Sequence, residues 1–177
     1  MSQENKVFVD PLNISAEDLP LIVLSDNLRK FIPWAIKSHT SGNYNHVMVM
    51  IHPGEVVSQD LTFKVKPITK YMTPAYRLKF WQFKDMTAEE KVAFEKAVQA
   101  DLDLPLYKRL YDPLGILGKL IRVPWINIPW LDYCSEKVIQ FARKFLPSLG
   151  DHPSPSEINC ECKNNPRMQV FGWWFFD

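Results

Sequence analysis

The sequence feature that most constrains the fold is a pair of β-prone segments joined by a tight turn. Residues 46–51 read HVMVMI, residues 52–54 are His-Pro-Gly, and residues 56–65 continue with a rough alternation of apolar and polar side chains. Branched and long apolar side chains favour strands, and a short turn between two such segments favours antiparallel pairing. The sequence therefore predicts a β-hairpin and a sheet to which it belongs.

Three other segments predict further strands. Residues 76–83 (YRLKFWQF) alternate between polar and apolar or aromatic side chains, as a half-buried strand does. Residues 21–24 (LIVL) form a short apolar run that is typical of a buried strand, and residues 170–176 (VFGWWFF) predict a terminal strand or an apolar latch. These segments are expected to extend the hairpin into a small antiparallel sheet.

Capping residues predict where the first two helices begin. Ser25 is a good N-cap for a helix whose apolar positions lie within residues 28–36. Thr87 and Glu90 have the spacing of a capping box, and the apolar residues after them predict a helix to about Ala100. The pattern thus places helices both before and after the predicted hairpin.

The second half of the chain predicts two more helices and a long loop. Asp112 precedes a first-turn proline and predicts a short helix over residues 113–121. Asp132 is an N-cap for a helix that ends before Pro147, and residues 151–166 predict a loop. Together the segments predict an α+β fold in which one domain spans residues 1–177.

Composition excludes several classes of function. The chain has 177 residues with 21 Lys plus Arg and 20 Asp plus Glu, so a net charge of +1 provides no electrostatic surface for nucleic acid. The N-terminus lacks the pattern of a secretory signal, which predicts a cytoplasmic protein, with later release or virion association if the protein is phage-encoded. The most apolar stretch, Leu114 to Leu131, contains charged residues and prolines, so no integral membrane association is expected.

Cys134 is the candidate nucleophile because it falls in the first turn of the helix predicted to begin after Asp132. Unpaired backbone amides and the helix dipole stabilise a thiolate at that position, which predicts a lowered pKa. The chain has three cysteines, an odd number that argues against a disulfide framework. The alternative for Cys134 is a small buried apolar residue.

His46 is the candidate general base because it begins the first strand of the predicted hairpin. An imidazole at a sheet edge can take a thiol proton and later return it to a leaving group. His39, His52 and His152 are rivals, but they lie in a predicted helix end, a turn and a loop. The alternative for His46 is a solvated or backbone-bonded side chain.

Residues 19–60 and the segment 132–138 (DYCSEKV) together resemble the circularly permuted NlpC-like branch of the papain-like superfamily. That branch includes bacterial and phage-encoded cysteine peptidases and amidases, in which a histidine opens a strand and a Tyr-Cys-Ser-Glu motif opens a late helix. The resemblance covers roughly two-thirds of the chain by order and spacing. Here Asn45 precedes the histidine where the family often has serine.

The resemblance implies a permuted papain-like fold with a small antiparallel sheet packed against the nucleophile helix. It makes Cys134 the nucleophile and His46 the base, and it places Tyr133 and Ser135 in the substrate or oxyanion region. The third catalytic residue, which orients the imidazole, is expected on the strand after the turn. Gln59 fits best by residue type, and Ser58 and Asp60, which lie on the opposite face of that strand, are the alternatives.

The function that follows is hydrolysis of an amide bond, in a peptide or a cell-wall-type peptide, through a thioester acyl-enzyme. An acyltransferase or lipid deacylase acting on an acyl substrate is one alternative, and a non-catalytic, phage-associated binding or structural module is another. Cys160 and Cys162 with His152 lack the paired spacing of zinc sites, so no metal and no cofactor is expected. The oligomeric state stays open.

Overall fold

The β-prone segments of the sequence form one antiparallel sheet. A computed structural model describes residues 7–27, 43–110 and 134–176. Within those ranges the sheet has six strands in the order β4-β3-β2-β1-β5-β6. The strands are β1 (Leu21–Asn27), β2 (His46–His52), β3 (Glu55–Gln59), β4 (Phe63–Pro67), β5 (Tyr76–Phe83) and β6 (Met168–Phe175). The described α-helices are α1 (Ala88–Leu102), α2 (Cys134–Ala142) and α3 (Pro155–Asn164).

Strands β1 and β2 lie in the middle of the sheet and are covered on both faces. Alternate side chains therefore enter two separate cores, which explains why both sequences read as nearly continuous apolar runs. The helix-side core contains Ile22 and Val49 from the sheet together with Val138 from α2. The opposite core contains Leu21 and Met48 and no residue of α1, α2 or α3.

The predicted hairpin between residues 46 and 65 is confirmed for its first two strands. Gly54 has a φ of 74° in the turn, a conformation that glycine adopts at little cost. The continuation through residue 65 is not a single strand, because β3 ends at Gln59 and the chain turns back into β4. This second turn places Asp60 just beyond the end of β3.

Ser25 does not cap a helix as predicted. It lies inside β1, where it pairs with His46 of β2 on one side and with Leu78 of β5 on the other. The strand continues past the apolar run because Ser25, Asp26 and Asn27 are buried polar residues that complete the ladder. The helix predicted over residues 28–36 lies outside the described residues.

The helix predictions have mixed outcomes. The capping box of Thr87 and Glu90 is confirmed at the start of α1. The helix after Asp132 is confirmed from Cys134 onward but ends at Ala142, before the predicted end at Pro147. Asp132 itself and the helix predicted over residues 113–121 lie outside the described residues.

The loop predicted for residues 151–166 is wrong, because most of that segment forms α3. Ser154 accepts a hydrogen bond from the backbone of Glu157, whose carboxylate accepts one from the backbone of Ser154, and Pro155 begins the first turn. This capping box has the same spacing as the one that predicts α1. The burial of Ile158 and Cys162 then holds α3 in the helix-side core.

The α+β class and the antiparallel sheet are confirmed, and the terminal segment forms β6 at the sheet edge beside β5. All three described helices contribute side chains to the helix-side core, and α2 contacts β2 and β3. No helix in the described ranges is both long and apolar enough to cross a membrane.

Candidate active site

Cys134 is the first residue of α2 and lies where that helix meets the sheet. Its side chain is buried in the helix-side core, close to residues of β2. The first backbone amides of a helix have no partner within the helix, so they are available to negative charge at this end. The predicted position of Cys134 at a helix N-terminus is therefore confirmed.

His46 begins β2 and reaches the thiol of Cys134. Asn45 fixes the preceding backbone: its side-chain oxygen accepts from the amide of Asn27, and its side-chain nitrogen donates to the Asn27 carbonyl, both at 3.2 Å. These bonds tie the start of β2 to the end of β1. The imidazole lies near Cys134, so the two groups interact electrostatically.

The other end of the imidazole contacts two oxygens at the end of β3. His46 Nε2 lies 2.9 Å from Ser58 Oγ and 3.1 Å from Asp60 Oδ1. Tyr71 lies near the same ring and donates its hydroxyl proton to Ser58 Oγ at 2.9 Å. The histidine thus lies between a thiol and a carboxylate.

The hydrogen-bond directions assign the tautomer of His46. Asp60 only accepts, so the hydroxyl of Ser58 donates to Asp60 Oδ1 at 2.9 Å and has no second proton for the imidazole. Nε2 must therefore carry the proton that it shares with Ser58 and Asp60. The neutral ring consequently has its lone pair on Nδ1, the nitrogen that remains for the thiol proton.

The two oxygens of Asp60 have different partners. Oδ1 faces His46 and Ser58, whereas Oδ2 forms ion pairs with Lys66 Nζ at 2.6 Å and with Lys70 Nζ at 3.0 Å. Burial raises the pKa of Asp60, but the hydrogen bonds and charges of His46 and Lys66 hold it far below its usual range. Asp60 is therefore a carboxylate at neutral pH.

These contacts favour a protonated His46. Burial lowers the pKa of the ring, but the negative charge of a Cys134 thiolate, the hydrogen bonds to Asp60 and Cys134, and the charge of Asp60 raise it to about 9. A pKa above neutrality stabilises an imidazolium beside a thiolate. The arrangement can therefore hold a proton on His46 at neutral pH.

Gln59, the sequence-based choice for the orienting residue, is wrong. Its side chain is buried on the opposite face of β3 and donates from Nε2 to the carbonyl of Arg109 at 3.2 Å. Successive side chains of a strand point to opposite faces, so Gln59 cannot share a target with Ser58. Asp60, one of the two alternatives, contacts the ring, and Ser58 bridges them.

The residues assigned to the substrate or oxyanion region are tested less fully. Tyr133 lies outside the described residues. Ser135 is completely buried in α2, and its hydroxyl has no hydrogen-bond partner within the described ranges. Its assignment to this region stays a prediction.

The rival histidines do not approach Cys134 in the described part of the chain. His52 is exposed at the end of β2, six residues along the strand from His46. His152 contacts the carboxylate of Glu136 on α2. His39 lies outside the described residues.

The two remaining cysteines lie on α3. Cys160 is exposed, whereas Cys162 is buried, and burial together with the charge of Glu161 raises the pKa of its thiol to about 12. Within residues 7–27, 43–110 and 134–176, no group of three or more His, Cys, Asp or Glu side chains is arranged to hold a metal ion.

Sequence reasoning missed Lys66 and Tyr71. Lys66 is only 5% exposed although it lies on the edge strand β4, and Tyr71 belongs to a short 3-10 turn over Ile68–Tyr71. No sequence signal identified Lys66, because its pairing with buried Val56 follows from a turn after β3 that the alternation pattern does not show. A buried lysine requires a carboxylate nearby.

The comparisons with known proteins add a fold relationship. No protein-family model matches the chain, and no curated protein matches it. Among solved structures, the chain is similar to metalloprotein yiiX from Escherichia coli O157:H7, with 12% sequence identity and a TM-score of 0.59. The match covers 89% of this chain and 97% of that one. At this identity the similarity shows a shared fold and nothing about the chemistry.

Proposed function

We propose that the protein is a cysteine hydrolase of the permuted papain-like, NlpC-like type. Cys134 is the nucleophile, His46 is the general base and acid, and Asp60 orients and charges the imidazole. The observation that carries the proposal is the position of His46, whose ring lies near Cys134 and has its Nε2 atom 3.1 Å from Asp60 Oδ1. A nucleophile, a base and an orienting group in that order are the parts that acyl transfer requires.

The proposed reaction begins with transfer of the thiol proton from Cys134 to Nδ1 of His46. The thiolate then attacks the carbonyl carbon of an amide, forming a C–S bond while the carbonyl oxygen becomes an oxyanion. His46 returns the proton to the departing nitrogen as the C–N bond breaks, which leaves a thioester on Cys134. Water attacks that thioester and gives a proton to His46, the C–S bond breaks, and a carboxylic acid is released. His46 then returns the proton to the Cys134 thiolate, which restores the starting thiol.

The first turn of α2 supports the step in which negative charge develops. Cys134 opens a helix whose first amides have no partners within the helix. An oxyanion next to Cys134 lies at that positive end and can accept from those amides. The helix therefore stabilises both the thiolate and the oxyanion.

The proposed substrate is a peptide or a cell-wall-type peptide amide. Acyl transfer and lipid deacylation proceed through the same thioester and differ in the acceptor or in the acyl chain. Supplying a primary amine or an alcohol together with an acyl donor separates these outcomes: an acylated acceptor indicates a transferase, and free acid indicates a hydrolase.

A covalent trapping experiment tests the proposal. Incubation with p-nitrophenyl acetate, followed by intact-mass and peptide mass spectrometry, is expected to show one acetyl group on Cys134. Cys134→Ala and His46→Gln should lose this adduct, whereas Cys160→Ala should retain it as a matched thiol control. Acetylation of Cys160 at the same rate as Cys134 refutes the assignment.

A second experiment tests for metal dependence, because the structural neighbour is described as a metalloprotein. The proposed chemistry predicts that prior treatment with EDTA leaves the rate of Cys134 acetylation unchanged. Loss of acetylation after EDTA and its recovery with added Zn²⁺ would replace the thiol–imidazole mechanism with a metal-dependent one.

A further inference from the structure

Asp60 has more charged partners than it needs for orienting the imidazole of His46. One carboxylate serves His46 through Oδ1 and two lysines through Oδ2. Lys66 is the more buried of the two cations, with 5% of its side chain exposed against 51% for Lys70. Orientation of a histidine requires only one acceptor, so the lysines need a separate explanation.

We propose that Lys66 is a positioning residue that fixes Asp60 on His46 and limits how strongly Asp60 holds the imidazolium. This inference rests on the proposed function, because it concerns how readily His46 gives its proton back. The 2.6 Å ion pair selects one carboxylate orientation, in which Oδ1 points to His46. The same cation withdraws part of the negative charge that the ring experiences.

The geometry gives the direction of the effect. Lys66 Nζ and His46 Nε2 contact the two oxygens of one carboxylate, so they lie no more than about 8 Å apart. A cation at that distance in a partly buried site disfavours a second positive charge. Lys66 therefore lowers the affinity of His46 for a proton, which improves the imidazolium as an acid toward a leaving nitrogen.

Other groups that face this site do not reproduce that effect. Burial lowers the pKa of Lys66 and the contact with Asp60 offsets this only in part, so the positive charge of Lys66 depends on this one carboxylate. Lys70 is half exposed, and solvent screens it. The remaining titratable or charged groups of the described elements around His46 and Asp60 are Cys134 of α2, Asp26 of β1, Lys64 of β4, and Tyr71 and Tyr76.

The test is the titration of His46 by NMR in the full-length protein, with the ring resonance assigned through His46→Gln. Lys66→Met is expected to raise the midpoint of His46 by about one pH unit. Lys70→Met should raise it much less, and Lys66→Arg should leave it close to the wild-type value. An unchanged or lowered midpoint in Lys66→Met, or an equal shift in Lys70→Met, overturns the proposal.

Two controls keep the outcomes distinct. Lys66→Gln retains a donor toward Oδ2 without the charge, and the same upward shift is expected if the methionine variant does not fold. Failure of both uncharged variants to fold, with Lys66→Arg folded, contradicts the proposal and assigns Lys66 a structural role. Acetylation of wild-type Cys134 is measured in parallel, because its absence refutes the hydrolase while leaving the His46 titration readable.

Discussion

Replacement of Asp60 by asparagine separates the charge of the carboxylate from its shape. The asparagine side chain keeps an oxygen that can accept from Nε2 of His46, so the tautomer is retained. It removes the negative charge that raises the pKa of His46 and that pairs with Lys66. This one substitution is therefore expected to cause two measurable losses, one in the reactivity of Cys134 and one in the free energy of unfolding.

The loss of stability follows from the buried cation. Removing one partner of a buried ion pair costs about 3 to 5 kcal/mol, because the other charge stays desolvated. Lys66 is 5% exposed but Asp60 is 34% exposed, so solvent reaches the pair and about 2 to 3 kcal/mol is expected. Urea unfolding at pH 7 measures this difference.

The loss of reactivity follows from the imidazole. Without the charge of Asp60, the pKa of His46 falls back toward its ordinary value of 6.5, so an imidazolium beside Cys134 is less favoured. We expect iodoacetamide to alkylate Cys134 at least about tenfold more slowly at pH 7, since the pKa of His46 falls by more than one unit and one unit corresponds to a factor of ten. Peptide mass spectrometry distinguishes Cys134 from the other two thiols.

The double variant Asp60→Asn with Lys66→Met separates the effect of Asp60 on stability from its effect on the reactivity of Cys134. Methionine removes the unpaired cation, so the free energy of unfolding should return close to the wild-type value. The alkylation rate should recover only in part, because the carboxylate is still absent even though the removal of Lys66 also removes a cation that disfavours the imidazolium. Full recovery of both quantities to their wild-type values would show that Asp60 acts only through the fold and would refute its role at His46.

Three further outcomes are expected. Gln59→Ala should leave Cys134 alkylation unchanged while lowering the free energy of unfolding by about 1 to 2 kcal/mol, because its bond to Arg109 is structural; slowed alkylation in the folded variant would return Gln59 to the site. Cys162, whose pKa is raised to about 12, should resist iodoacetamide at pH 8 under native conditions, and modification at the rate of exposed Cys160 would contradict its burial. Because the pKa of His46 is raised from 6.5 to about 9, its contribution to stability is fully present below pH 6.5 and is lost as the pH rises through 9. Urea midpoints between pH 6 and pH 10 should therefore fall more in the wild type than in His46→Gln, and equal slopes would count against the shifted pKa.

The parts of the fold that local patterns specify were predictable from the sequence. The capping box of Thr87 and the turn at Gly54 each depend on a few adjacent residues, and both are confirmed. The helix α3 has a signal of the same kind at Ser154, which the polar composition of the surrounding residues concealed. Ser25 was misassigned because serine, although a good N-cap residue, also occurs in a central strand. Here the residues beside Ser25 complete the hydrogen-bond ladder of that strand.

The candidate site was predictable by residue type but not by register. The contact between Cys134 and His46 agrees with their predicted positions at a helix start and a strand start. The choice among residues 58–60 depended on which face of β3 points to His46, and the residue that orients it lies past the end of that strand. The ion pair with Lys66 comes from β4, so it depends on a turn that the alternation pattern did not reveal.

The residues proposed to handle the proton are close together in the chain, whereas the proposed nucleophile is not. His46, Asp60, Lys66 and Tyr71 belong to a contiguous meander of strands, and Cys134 follows more than sixty residues after the last of them. Contacts between nearby residues form early because they close short loops, whereas α2 must dock over a long separation. During synthesis the residues around His46 therefore leave the ribosome first and can assemble without the thiol. The order of the chain delays the appearance of Cys134 until the residues proposed to act on its proton have already been made.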